Sequence, residues 1–174
     1  DLHSFPTRRS SDLAMEKNID ENVVLLNYLT VNHHTTGSFM HNAIRNSAVA
    51  YIRYSSFSDY ISEGSLKYLV NRYKNCKGMI IDLRQNSGGS ISNIAALLSI
   101  FDNHKQLLYQ CQAKSGPEHD AFSEALSVYA ADSSILGKHN AYTKPGAVLI
   151  DRGSYSATSF FAICTMAYDN IRHS

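Results

Sequence analysis

The chain lacks most of the signatures that assign a function on sight. It has no basic stripe and no polybasic cluster: 16 Lys and Arg against 15 Asp and Glu leave a net charge of +1. Neither a nucleic acid nor an anionic membrane surface is offered a complementary face. No apolar run approaches the roughly 20 residues needed to cross a bilayer, so no integral membrane segment is expected. Cys76, Cys111 and Cys164 are odd in number, widely spaced and without a C-x-x-C pair. That excludes the usual zinc and redox patterns and leaves them as buried small hydrophobes. There is no repeat and no low-complexity tract. G-x-G-x-x-G, the P-loop and G-x-S-x-G are all missing. The adjacent His33 and His34 have no carboxylate or cysteine at ligand spacing, and on extended backbone they would face opposite ways. No metal and no cofactor is therefore expected.

What is present is a chain of 174 residues, 44% hydrophobic, enough for one domain or part of one. Residues 3–13 (HSFPTRRSSDL) back-translate into a widely used DNA-sequencing adapter, so residues 1–13 are expected to be an adapter artefact and are set aside. On that expectation the protein extends further upstream, and the end at residue 174 reads as a second cut.

Taken in order, residues 21–31 (ENVVLLNYLTV) predict one strand or two short ones. Residues 33–37 predict a polar turn, and 39–44 a short strand. Residues 48–54 (AVAYIRY) predict a strand and 55–59 a loop. Leu66, Leu69, Val70 and Tyr73 follow at helical spacing. Residues 74–78 close that helix, with Gly78 available to relieve strain. Residues 79–83 (MIIDL) predict a buried strand and 84–90 (RQNSGGS) the loop beyond it. Ile91, Ile94, Ala95, Leu98 and Phe101 mark a second helix. Strand, glycine loop, helix can present backbone N–H groups to an anion; it can equally be a tight turn that needs positive φ. Residues 106–113 predict a strand, 116–120 a turn and 122–131 a short helix. The alternation points to an α/β fold with right-handed crossovers where strands run parallel.

The most informative stretch is 147–168 (AVLIDRGSYSATSFFAICTMAY). An apolar strand breaks at Asp151, Arg152 and Gly153. Ala157, Phe160, Phe161, Cys164 and Tyr168 then recur at helical spacing. Ser156 sits at the turn between strand and helix, where a hydroxyl can be aimed into open space, as in a nucleophile elbow. The alternative is a serine that caps the helix. In α/β sheets ligands gather beyond the carboxyl ends of strands, so the Gly88–Gly89 loop and Ser156 can meet over one site.

Together these stretches resemble the S41 family of serine peptidases, the C-terminal processing and tricorn-core proteases. The matching segments are 50–57 (AYIRYSSF), 78–90 (GMIIDLRQNSGGS), 115–123 (SGPEHDAFS) and 147–162 (AVLIDRGSYSATSFFA). The resemblance implies a ClpP/crotonase-like β-β-α superhelical core, incomplete at both ends. Residues 14–46 would form a strand-rich lead-in and 47–174 part of the catalytic core. It implies hydrolysis of a polypeptide substrate through an acyl-enzyme, with Ser156 as nucleophile and the backbone N–H groups of Gly89 and Ala157 as oxyanion donors. Ser87 stands where the family often has glycine, tolerable if only Gly88 and Gly89 need unusual torsions. The family's general base, a later lysine or an upstream histidine with an acidic partner, has no match here. His34, in the run NHHTT, is faintly similar to the upstream histidine segment, and Lys144 precedes the nucleophile and does not fit. The chain alone is thus expected to be inactive. The family's usual setting implies a bacterial cell envelope or periplasm. A crotonase-like acyl-CoA enzyme and a non-catalytic binding module on the same fold are the competing readings.

Overall fold

A computed structural model describes residues 20–27, 29, 33–44, 48–101, 106–130 and 141–173. Residues 1–13, read above as an adapter, lie outside them. The chain enters through a short helix, α1 (Glu21–Asn27). The Asp20 carboxylate accepts the Asn22 N–H at 2.9 Å, and the Asp20 carbonyl accepts those of Val23 and Val24. Over 21–27 this corrects the one strand or two short ones expected at 21–31: an N-terminal acidic cap outweighs the weak β preference of Val23 and Val24. Leu29 bridges Ile44 in antiparallel fashion, and residues 28, 30 and 31 lie outside the described residues. The strand β1 (His34–Thr36) then turns at Gly37, φ +56°, into β2 (Phe39–Ala43). Three of the residues expected as turn are therefore strand, and the turn itself is at Gly37.

The rest of the main sheet is made of β3 (Val49–Tyr54), β4 (Gly78–Asp82), β7 (Gly146–Leu149) and β8 (Ile171–His173). The order is β1-β2-β3-β4-β7-β8. The pairs β3–β4, β4–β7 and β7–β8 are parallel, and β1–β2 and β2–β3 antiparallel. Three crossovers carry α2 (Glu63–Tyr73), α3 (Ser92–Leu98) and α4 (Ala157–Thr165). Leu66, Leu69 and Val70 of α2, Ile94, Leu97 and Leu98 of α3 and Phe161 and Cys164 of α4 share one core with Ala50, Ile52, Met79, Ile81 and Val148. All three helices therefore cover the same face of the sheet. Ser62 begins α2 as a cap, its hydroxyl accepting the Ser65 N–H at 3.1 Å. Gly78 opens β4 and pairs with Val49, so it does not terminate α2 as expected.

Strand periodicity turns Tyr51, Arg53 and Asp82 to the opposite face. Asp82 is fully buried there. It accepts the Tyr51 hydroxyl, the Arg84 N–H and the Arg84 side chain, and the Arg53 guanidinium lies 3.6 Å away. On the helix-covered face, buried His41 is held between Thr36 Oγ1 at 2.9 Å and the Tyr73 hydroxyl at 2.7 Å. Burial, with Arg72 and His34 adding their charges, pushes its imidazole down to about 4.

Between α3 and β7 the chain leaves the sheet. Residues of β5 (Leu107–Cys111) and β6 (Leu126–Tyr129) pair antiparallel as a separate two-stranded sheet. The helix expected over 122–131 is not formed in its described part. Phe122, Leu126 and Tyr129 are exposed by 51%, 64% and 40% and face no core, whereas a β5 partner is available. Cys111, on β5, is exposed, unlike the buried Cys76 and Cys164. Its strand covers little, so the expectation of three buried thiols holds for two.

Candidate active site

The site is built at the carboxyl ends of β4 and β7. Beyond β7 the chain turns sharply, and Ser156 takes φ +57° and ψ −122°, a backbone conformation few non-glycine residues adopt. It stands in the N-cap position of α4, yet its side chain makes no capping bond. The capping alternative is thereby removed. Ser156 is exposed, Ala157 behind it is buried, and among the described residues the Ser156 hydroxyl hydrogen-bonds to nothing.

Beyond β4, Gly88 and Gly89 carry φ +99° and +143°. Ser87 does not need a positive φ, but Gln85 does, at +63°. A β-carbon on Gly88 would sit 2.7 Å from Ser156 Cβ and 3.0 Å from the Ala157 nitrogen. The glycine loop therefore lies directly against the serine turn. One on Gly89 would sit 2.2 Å from the Ser58 nitrogen. The Phe57 N–H donates to the Gly88 carbonyl at 3.0 Å and the Ser90 N–H to the Phe57 carbonyl at 2.9 Å. In that parallel bridge the N–H of Gly89 itself turns away from Phe57. Neither it nor the Ala157 N–H, at the start of α4, has an acceptor among the described residues. One free hydroxyl and two free amides, one of them at a helix N-terminus, thus border the same small region.

Four residues that the sequence reading did not single out hold this arrangement. Asn86, fully buried, donates from Nδ2 to the Tyr54 carbonyl and accepts the Gly88 N–H on Oδ1, both at 2.9 Å. Its carbonyl accepts the Tyr155 N–H at 3.1 Å. Thr158 Oγ1, also buried, lies 2.9 Å from both the Asn86 carbonyl and Oδ1. Asp151 grips Gln85 through its N–H and its side-chain amide, and also accepts the Gly153 N–H and the Ser154 hydroxyl. Burial pulls the Asp151 carboxyl upward, but these donors outweigh it and hold it below the usual carboxylate range. Asn in a glycine turn and Asp two residues before Gly153 are both turn signals; neither says which distant loop the side chain will bind.

Other candidates lie elsewhere. His34 is on β1, four strand spacings from β7, on the order of 19 Å at about 4.8 Å each. There its Nε2 bonds Arg72 at 2.7 Å. Lys144, at the opposite end of β7, donates to the carbonyls of Lys74 and Cys76. Neither is brought to Ser156.

The model for peptidase family S41 matches residues 48–171. The chain belongs to peptidase family S41. It is 29% identical over 120 residues to the carboxy-terminal processing protease CtpB of Bacillus subtilis (strain 168), an alignment covering 68% of this chain and 22% of CtpB. A crystal structure solved as that of a candidate peptidase from Parabacteroides merdae ATCC 43184 superposes with a TM-score of 0.78 at 28% identity, over 91% of this chain and 49% of that one. The photosystem II D1 C-terminal processing protease has the same kind of fold, with a TM-score of 0.56 at 18% identity over 80% of this chain and 36% of its own. This S41 chain thus spans about half or less of the relatives it matches. It has their mixed α/β architecture with a mostly parallel sheet. Among the described residues no helix is long and apolar enough to cross a membrane.

Proposed function

We propose that the protein carrying this chain is a serine-type endopeptidase in which Ser156 is the nucleophile and the N–H groups of Gly89 and Ala157 form the oxyanion hole. The observation that carries this reading is the pairing of an uncapped Ser156 at φ +57° with a glycine loop lying flush against it. In the reaction Ser156 Oγ attacks the scissile carbonyl carbon as its proton passes to a base. The carbonyl oxygen becomes the oxyanion and takes hydrogen bonds from the two amides, each worth ~3 kcal/mol in comparable sites. The amine leaves with a proton, and water then hydrolyses the ester. Neither His34 nor Lys144 is brought to Ser156, so the base is a residue other than these two, and the 174 residues alone are proposed to show no turnover. The core is read as a ClpP/crotonase-like β-β-α superhelix, on the strength of successive strand–helix units all turned to one face. Its setting is proposed as the bacterial cell envelope or periplasm.

An aryl fluorophosphonate tests the reading. The complete gene product is expected to take one label, on Ser156, and to lose it with peptide hydrolysis in Ser156→Ala. Hydrolysis without a label on Ser156 would point to acyl-CoA-type chemistry or another nucleophile; neither label nor hydrolysis would leave a binding module.

A further inference from the structure

We propose that Asn86, held by Thr158, is a positioning residue that sets the direction of the two free amides relative to the serine hydroxyl, so that they meet the oxyanion formed when it attacks. The inference rests on the peptidase reading above. Its basis is where the Asn86 bonds fall. One goes to Gly88, the residue immediately before Gly89; another goes to Tyr155, the residue immediately before Ser156. A third ties the same side chain to the end of β3 at Tyr54, and a fourth reaches into α4 at Thr158. Three stretches far apart in sequence, the end of β3, the glycine loop and the serine turn with the start of α4, therefore meet on one buried residue.

Among the described residues the Gly89 and Ala157 amides have no acceptor, so none of these fixes their direction. Direction comes from the preceding peptides. Gly88 has both its N–H and its carbonyl engaged, by Asn86 and Phe57. Tyr155 has its N–H on the Asn86 carbonyl. The Thr158 hydroxyl shares its one proton between the two Asn86 oxygens and so locks the side-chain amide against its own main chain. Without that proton Asn86 still has its other bonds, and the fold survives. The relative aim of loop and turn is what loosens, and a misplacement of ~1 Å in a reacting geometry can cost ~10²-fold in rate.

The test uses the complete gene product and follows covalent labelling of Ser156 by an aryl fluorophosphonate at several concentrations. That separates the maximal inactivation rate from the half-saturating concentration. Thr158→Val is expected to lower the maximal rate at least about tenfold, with half-saturation and melting temperature unchanged, and Thr158→Ser to recover most of the loss. A folded Thr158→Val protein labelled at the unmodified rate overturns the inference and leaves the peptidase reading intact. If Thr158→Val melts below the assay temperature, Thr158→Ala is compared with Thr158→Ser and judged by the same two outcomes. Absence of label on the unmodified protein removes the peptidase reading, and this inference with it.

Discussion

Gly88 and Ser156 meet with no room for a side chain between them: a β-carbon on the glycine would fall 2.7 Å from Ser156 Cβ and equally close to the Tyr155 carbonyl oxygen. Both contacts are to main chain or to a first side-chain atom, so neither can swing aside. Gly88→Ala is expected to push the serine turn away from the loop and reduce Ser156 labelling by about 100-fold. At φ +99° the substitution also strains the backbone, costing about 1 kcal/mol or more. Labelling kinetics and a urea midpoint measured on one preparation check both parts. Unchanged labelling would mean that the two loops do not form one site.

Asp151 ties the serine turn to Gln85, whose φ of +63° is strained for a non-glycine residue. Asp151→Ala strips the Gln85 amide, the Gly153 N–H and the Ser154 hydroxyl of a charged acceptor, and should destabilise by about 2–3 kcal/mol. Because the folded carboxyl titrates below its unfolded value of ~3.9, its contribution is present above that pH and disappears as pH falls through the depressed folded value. Acid titration of the unfolding midpoint should therefore show a drop below about pH 4 that Asp151→Asn lacks. Superimposable acid limbs would refute it.

His41 acts in a different window. An unfolded histidine takes its proton near pH 6.5, whereas folded His41, buried and facing Arg72 and His34, resists until about pH 4. The unfolded state thus binds the extra proton, and stability declines as pH falls from 6.5 towards 4, by up to ~3 kcal/mol. Urea midpoints at pH 7.5 and 4.5 should differ in the unmodified protein and much less in His41→Gln, which keeps a polar side chain between Thr36 and Tyr73. Equal slopes in the two proteins would show that another group titrates.

Asp82 supports the sheet rather than the chemistry. Fully buried, it faces Arg53 and the side chain of Arg84, and Arg84 is itself part of the loop leading to Asn86. Asp82→Asn leaves two guanidinium groups around a neutral amide. It should cost about 3 kcal/mol, towards the low end for a broken buried pair because Arg84 is partly exposed. Chemical denaturation measures it, and a loss under about 1 kcal/mol would show the cluster to be no more than a surface-like pair.

Much of this was legible in residue order. Leu66, Leu69, Val70 and Tyr73 repeat at helical spacing because they share one buried face, and all four are buried. The strands at 49–54, 78–82 and 146–149 are short apolar runs because both their faces are covered or half-covered. Ser156 and the paired glycines stand out because a strand that breaks at once into a helix must put something unusual at the break. Three features resisted. Residues 21–27 carry β-branched side chains, but an acidic cap decided their form. Residues 122–129 space their apolar groups like a helix, yet those groups point to solvent, where periodicity has no core to report. Asn86, Thr158, Gln85 and Asp151 act across separations of 66 to 72 residues, and nothing local announces such partners.

The pairing of β5 with β6 has a consequence for how this architecture can change over descent. That excursion satisfies its own ladder and packs on α4 through Tyr109, whose ring lies 4.5 Å from that of Phe160. Lengthening or shortening its tip around Gly116 shifts no rung between β4 and β7. The tip is therefore where drift in length is cheapest, and where an epitope tag can be grafted without disturbing the frame beneath.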